Sequence, residues 1–369
     1  MLDFTAPCLF GLEGIVGDEL RAMNAQNVRV FDGRVMFSGD YNTMAMANIR
    51  LRCAERVLIN IGSFNATTFD ELFECTKALP WEEFIRKDDA FPVKGHSLKS
   101  KLFSIPDCQS IIKKAIVERL KSKYGCSWFN ETGAKKQIQF SIMKDNVVLM
   151  IDTTGTGLHK RGYRPNANVA PMRETLAAAI ISLSRLNKGE ILIDPFCGSG
   201  TLPIEAALYA TRTAPGLNRQ FAAESFKEIN KSIWQQERRD AADLIRKADN
   251  DIYAFDIDEK CIGLTMENAR RAGVSQYIKA KQGDVRNLKN AFDKTGVIVC
   301  NPPYGERLLE QKEAERLYID MGKVFRDFGG FRTFVLTSFE DFPKLYGKKE
   351  FKNRKLYNGM IKCYLFNFR

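Results

Sequence analysis

Ile191-Leu192-Ile193-Asp194-Pro195-Phe196-Cys197-Gly198-Ser199-Gly200-Thr201 decides the fold. An apolar run ends in an acid, a Gly-x-Gly loop follows, and a helical pattern then covers residues 202–210. Strand, tight loop and helix in that order make the opening turn of a doubly wound α/β sheet. The glycines let backbone approach a ligand where a Cβ would clash. The first turn of the helix presents unpaired N–H groups to anionic ligand groups.

The loop lacks the third glycine of a dinucleotide fingerprint, and the next strand-ending acid, Asp256, lies far beyond the usual spacing. Asp194 stands immediately before the loop, where a pyrophosphate would be repelled. An acid there suits a cationic amino group, and S-adenosylmethionine (SAM) carries one.

Working outward, residues 252–258 read as strand two ending in Asp256-Ile257-Asp258, and residues 278–282 as strand three followed by Gly283-Asp284-Val285. Residues 297–300 read as strand four and 332–337 as strand five. A closing hairpin turns on Asn358-Gly359. Helices are expected over 171–186, 221–248 and 259–272. Upstream, residues 1–62 alternate strand, helix, hairpin, helix and strand, a small ferredoxin-like α+β layer. Residues 63–153 form a second α+β module, 154–170 a linker, and 171–369 the α/β domain.

The formal net charge is +11, from 56 Lys and Arg against 45 Asp and Glu, and favours a polyanionic partner. Residues 94–136 hold ten Lys or Arg against three acids. There Lys94, Lys99, Lys101, Lys113, Lys114 and Lys121 are candidate phosphate contacts, although a solvated helix face would carry the same charges. The linker adds Lys160, Arg161 and Arg164 beside Tyr163, a second candidate RNA contact; His159 is read as structural. The nine cysteines form no C-x-x-C pair and there are only two histidines, so a structural metal site is not expected. Scattered cysteines suit a reducing cytosol, and no run of apolar residues is long enough for a membrane helix.

The chemistry is expected at Asn301-Pro302-Pro303-Tyr304, at the end of strand four. A planar exocyclic amine is a poor nucleophile because its lone pair is delocalised. Two acceptors, Asn301 Oδ1 and the Pro302 carbonyl, would draw the N–H bonds and aim the lone pair at a methyl group. The prolines stiffen the loop and hold both acceptors in place. Tyr304 offers a face for a flipped-out base. Asp256 is placed for ribose hydroxyls and Asp284 for an adenine amino group, although each could be only a loop or cap aspartate.

Asp194-Pro195-Phe196-Cys197-Gly198-Ser199-Gly200-Thr201 together with Asn301-Pro302-Pro303-Tyr304-Gly305-Glu306-Arg307 resembles the THUMP-domain RNA guanine-N2 methyltransferases. The runs 158–164 and 173–179 also resemble that family, and the likeness extends over nearly the whole chain, closest to the bacterial branch acting on large-subunit ribosomal RNA. It implies SAM as methyl donor, N2-methylguanosine as product, a THUMP domain over the basic module, and ligand contacts at residues 194–201, Asp256-Ile257, Asp284-Val285 and Asn301-Tyr304. Some members carry a second methyltransferase domain, which is not expected in a chain ending at Arg369. A related branch acts on transfer RNA. Adenine N6 and glutamine-amide methyltransferases share Asn-Pro-Pro-Tyr; glutamine methylation has no use for the basic module, and no DNA-recognition module is evident. A non-catalytic assembly factor would have no need of intact acceptors.

Overall fold

The computed structural model describes residues 1–165, 172–304 and 308–368. Pro171, residues 166–170 of the linker, and Gly305, Glu306 and Arg307 lie outside them.

The N-terminal half is one seven-stranded sheet. β1 (Leu2–Pro7), α1 (Glu13–Ala22), β2 (Gln26–Phe31), β3 (Arg34–Gly39), α2 (Tyr41–Arg50) and β4 (Leu58–Asn65) come first. They are followed by α3 (Phe69–Ala78), β5 (Val93–Leu98), α4 (Ile105–Tyr124), β6 (Ile138–Met143) and β7 (Asn146–Asp152). Strand order is β2-β3-β1-β4-β7-β6-β5. β4 pairs with β1 at Phe4↔Ile59 and with β7 from Leu58↔Asp152 to Asn65↔Asn146, so the sheet runs unbroken across the expected boundary at residue 62.

Local chemistry sets the helices. Asp40 caps α2 by accepting from Thr43 N at 2.8 Å, and Thr68 with Glu71 forms a capping box on α3. The apolar spacing of α4 buries Cys108, Ile112, Ala115, Ile116 and Leu120 against the sheet, and the helix stops at Gly125. Burial of one such isoleucine contributes roughly 1.5–3 kcal/mol.

The C-terminal half is a second seven-stranded sheet. α5 (Glu174–Ser184) leads to β8 (Ile191–Asp194), α6 (Thr201–Ala210), α7 (Lys231–Asp243), β9 (Ile252–Asp256), α8 (Glu259–Arg271) and β10 (Ile278–Gln282). Then come β11 (Gly296–Cys300), α9 (Leu308–Val324), β12 (Phe331–Thr337), α10 (Phe342–Tyr346), β13 (Lys352–Asn358) and β14 (Ile361–Phe368). The order is β10-β9-β8-β11-β12-β14-β13, parallel except that β14 runs antiparallel to both neighbours. Fully buried β8 has β9 on one side and β11 on the other, so the strand order reverses there and opens a crevice beyond the carboxyl ends.

Two expectations change. The single helix over 221–248 is a 3-10 turn, Ala222–Ser225, followed by α7, with Asn230 capping the latter. The helix α9 between the Pro-Pro loop and β12 was not anticipated. Among the described residues no helix is long and apolar enough to cross a membrane, and no group of three or more His, Cys, Asp or Glu could hold a metal ion.

Candidate functional site

The crevice has a volume of about 700 Å³ and is lined by Asp194, Pro195, Phe196, Cys197, Gly198, Ser199 and Thr201 from the first loop. Asp256 and Ile257 follow β9, Asp284 and Val285 follow β10, and Asn301, Pro302, Pro303 and Tyr304 follow β11. Gly200 is not part of the lining. It has φ +82°, and a Cβ there would meet the Thr265 side chain at 2.9 Å. Its task is the close approach of loop to helix.

Asp194 is 1% exposed. It accepts one hydrogen bond, from Phe196 N at 3.0 Å, and no cationic side chain among the described residues pairs with it. Burial pushes its pKa up to about 8, and the Asp256 charge adds to the rise. Asp256 accepts from Gly198 N at 2.9 Å and from Asp258 N at 3.0 Å, so it braces the glycine loop while each oxygen keeps acceptor capacity. Asp284 accepts from Arg286 N at 2.9 Å and pairs with the Arg286 guanidinium, which holds its carboxyl below the usual range. A ligand amine at Asp284 must therefore share it with Arg286. Ile257, 63% exposed, puts an apolar surface at the rim.

Tyr304 donates from its hydroxyl to Asn301 Oδ1 at 2.6 Å. Burial raises the Tyr304 pKa, so the phenol keeps that proton. Asn301 Oδ1 has one lone pair engaged and one left for an incoming N–H donor. Tyr318, on α9, donates to the Pro303 carbonyl at 2.8 Å and fixes the Pro-Pro loop from beneath.

Sequence reasoning missed α8's contribution. Thr265 donates to the Gly198 carbonyl at 3.0 Å and Asn268 to the Ser199 carbonyl at 2.9 Å. Both are fully buried polar residues three apart on one helix face, and a buried polar group needs a partner. That pattern was the available signal. Met172, Leu317, Asn358 and Ile361 also line the crevice; Asn358 was read only as a turn residue, and the other three had no local signature.

Two of the three linker cations, Arg161 and Arg164, are corrected. Arg161 has a side chain 2% exposed, lies 3.5 Å from buried Glu205, and donates to the Leu158 and Arg52 carbonyls. Arg164 pairs with Glu174 at 2.7 Å and donates to Thr201 Oγ1 at 2.8 Å and the Met172 carbonyl at 3.1 Å. Both guanidiniums are held inward by these internal partners rather than offered to a phosphate. His159 contacts Glu55 at 3.0 Å, consistent with a structural role. Lys160 is exposed. In the basic module, Lys113 pairs with Glu131, donates to the Phe91 carbonyl and sits 3.4 Å from the Phe91 ring centroid, so it closes the module's own interior. Lys121 pairs with Glu118 at 3.1 Å, and Lys114 lies exposed near Phe73. Lys94, Lys99 and Lys101 are exposed at the edge strand β5 and the turn after it.

Residues 161–367 match the family model described as RMKL-like, methyltransferase domain. The chain belongs to that family. In this methyltransferase, residues 3–58 match the RlmL ferredoxin-like domain and residues 66–152 the THUMP domain. It is 45% identical to the Bacillus subtilis (strain 168) protein named "Putative RNA methyltransferase YpsC", over 97% of this chain and 93% of that one. It is 32% identical to a Syntrophotalea carbinolica protein named "Ribosomal RNA large subunit methyltransferase K/L", over 100% of this chain and 53% of the relative. The chain thus spans about half the length of that K/L relative. The solved structure of SMU.472, described as complexed with SAH, superposes with a TM-score of 0.95 at 40% identity, covering 100% of this chain and 97% of the other.

Proposed function

We propose that this chain transfers the methyl group of SAM to the exocyclic N2 amine of a guanine in large-subunit ribosomal RNA. The observation that carries the proposal is the union, in one crevice, of a buried acid with no paired cation among the described residues and a rigid pair of amine acceptors. The Asp194 carboxylate suits the ligand's ammonium group, Asp256 its ribose hydroxyls, and Ile257 and Val285 the faces of its adenine. The SAH-bound relative and the methyltransferase family support the same cofactor. The THUMP match and the K/L relative support ribosomal RNA as substrate.

When bound, SAM supplies an electrophilic methyl on a sulfonium. Asn301 Oδ1 and the Pro302 carbonyl accept the two amine N–H bonds and turn the nitrogen lone pair towards that methyl. Transfer would form the N–C bond as the S–C bond broke, leaving a neutral thioether and a cationic nitrogen held between the Asn301 and Pro302 acceptors. That nitrogen is acidic and releases its proton to water, so no strong base is required. Tyr304 keeps the Asn301 amide oriented through its 2.6 Å hydrogen bond and presents its ring to the base.

The test is methyl transfer from labelled SAM to total RNA of a strain lacking the gene, followed by nucleoside analysis. Label in N2-methylguanosine of large ribosomal RNA is expected. Label in transfer RNA would move the substrate, label in N6-methyladenosine would overturn the guanine assignment, and no label in any RNA would overturn methylation of free RNA and point to an assembly intermediate or to a non-catalytic role. Asn301→Ala should lower transfer by about 10²–10³-fold while SAH affinity stays within about twofold. Joint loss of both would show that Asn301 holds the cofactor pocket together rather than aiming the amine.

A further inference from the structure

The β13–β14 hairpin is more than the closing edge of the sheet. Its register pairs Leu356 with Cys363, Tyr357 with Lys362 and Asn358 with Ile361. Leu356, Cys363 and Leu365 are buried, which anchors one face in the core. Alternation puts Lys355, Tyr357, Lys362 and Tyr364 together on the other face. Lys355 lies 5.6 Å from the Tyr357 ring centroid and Lys362 lies 5.0 Å from that of Tyr364. Two lysines interleaved with two tyrosines match the chemistry of a nucleic-acid strand, cations for phosphates and flat rings for bases. Glu340 pairs with Lys362 at 2.7 Å and accepts from the Tyr364 hydroxyl at 2.9 Å, so a phosphate reaching Lys362 must displace that carboxylate.

The tip of the hairpin overhangs the crevice. Asn358 and Ile361, the two residues flanking the turn, line the same cavity as Asn301 and Tyr304. Cys363 Sγ lies 3.6 Å from the Tyr304 hydroxyl, so the hairpin touches the amine-accepting loop directly. Gly359 supplies the positive φ of the turn, at +65°, and Met360 is 98% exposed. A lone exposed methionine on an ordinary surface needs no explanation. Here it projects from a braced turn at the mouth of the catalytic crevice. The hairpin is braced by the N-terminal half: Arg354 donates to the Gly11 carbonyl at 3.2 Å, and the Phe10 and Tyr357 rings meet edge-on at 6.2 Å.

We propose that this hairpin is an RNA finger, in which the Lys355–Tyr357–Lys362–Tyr364 face grips the strand beside the target and Met360 enters the stack where the target base leaves. The proposal rests on the RNA methylation proposed above. An apolar side chain can enter between base steps and unstack them, as minor-groove proteins do with methionine or leucine wedges. An enzyme whose chemistry requires an extruded base must meet the cost of unstacking it, and a wedge at that step lowers the cost. Met360 is a positioning residue, and it acts after RNA has bound.

The test uses the full chain with large-subunit ribosomal RNA from the strain lacking the gene, and measures RNA affinity and the single-turnover transfer rate separately. Met360→Ala should slow transfer at saturating RNA by about tenfold, with RNA affinity within about twofold. Met360→Leu should restore the rate. Lys355→Ala with Lys362→Ala should do the reverse, weakening RNA binding and lowering its salt slope by about one unit per lost contact, while the saturated rate holds. SAH affinity, expected to be unchanged in all three, verifies the fold. An unchanged rate in Met360→Ala, or a rate and RNA affinity that fall together, overturns the wedge. RNA that binds the wild type but accepts no label overturns the methylation proposal instead, and the wedge with it.

Discussion

Glu205 and Asp194 are both carboxylates sealed from water, and they stand in opposite company. Glu205, on α6, faces Arg161 at 3.5 Å, accepts from the Tyr163 hydroxyl at 3.1 Å and feels the charge of Arg52. Those partners come from the N-terminal half and from the linker, so the acid belongs to a knot between the halves. Asp194, one strand earlier, has a single backbone donor and no cation among the described residues. A buried charge is costly unless it is paired. In the first case the chain supplies the counter-charge; in the second the acid takes up a proton until a ligand brings one. The same contrast runs through the cations. Arg161 and Arg164 are consumed by Glu205 and Glu174, whereas Lys94, Lys99 and Lys101 stay in solvent at the edge of the N-terminal sheet.

The largest expected effect would come from breaking the knot. Arg161→Met leaves Glu205 with only the Tyr163 hydroxyl and the charge of Arg52, and should cost up to about 3–5 kcal/mol of stability in urea unfolding. Adding Glu205→Leu should return most of it. A loss below about 1 kcal/mol in the single variant would mean that Glu205 is already neutral and that the two acids are not different in kind.

Asp194 sharpens the other arm. Its folded pKa of about 8 lies above the ordinary aspartate value, so the folded ligand-free protein binds a proton that the unfolded chain has released. Stability of the ligand-free protein should therefore fall as pH rises from about 4 towards 8, and Asp194→Asn should remove that slope. A cationic ligand reverses the preference. SAH affinity should rise between pH 6 and 8, by up to about tenfold per unit, and Asp194→Asn should bind weakly with a flat profile. A flat profile in the wild type would show that the ligand's ammonium group is not placed on this acid.

The smallest effect belongs to the solvated lysines. Lys99→Ala with Lys101→Ala should leave stability within about 0.5 kcal/mol. The salt dependence of RNA binding should lose about one unit of slope per phosphate contact. An unchanged slope would leave these lysines as an ordinary solvated edge.

Much of the architecture was legible because it rests on local rules. The strand-loop-helix at residues 191–210, the hairpin on Asn358-Gly359 and the apolar stripe of α4 each carry their own period or turn chemistry. Pro302 and Pro303 announced a stiff acceptor loop in the same way. What stayed hidden depends on packing between distant segments. Tyr318 reaches the Pro303 carbonyl from a helix that was not foreseen, and Thr265 and Asn268 reach the glycine loop across nearly seventy residues.

By itself, then, the sequence determined most of the strands and helices, the two glycines and the residues at the carboxyl ends of β8 to β11, since backbone sterics and hydrophobic period act over a few neighbours. Tertiary structure alone decided which charges are spent. Lys160 and Arg161 are adjacent in a single basic run, and whether each meets water or a buried carboxylate depends on which chain segment folds over it. Electrostatic role is a property of surroundings, and those surroundings are assembled from residues far apart along the chain.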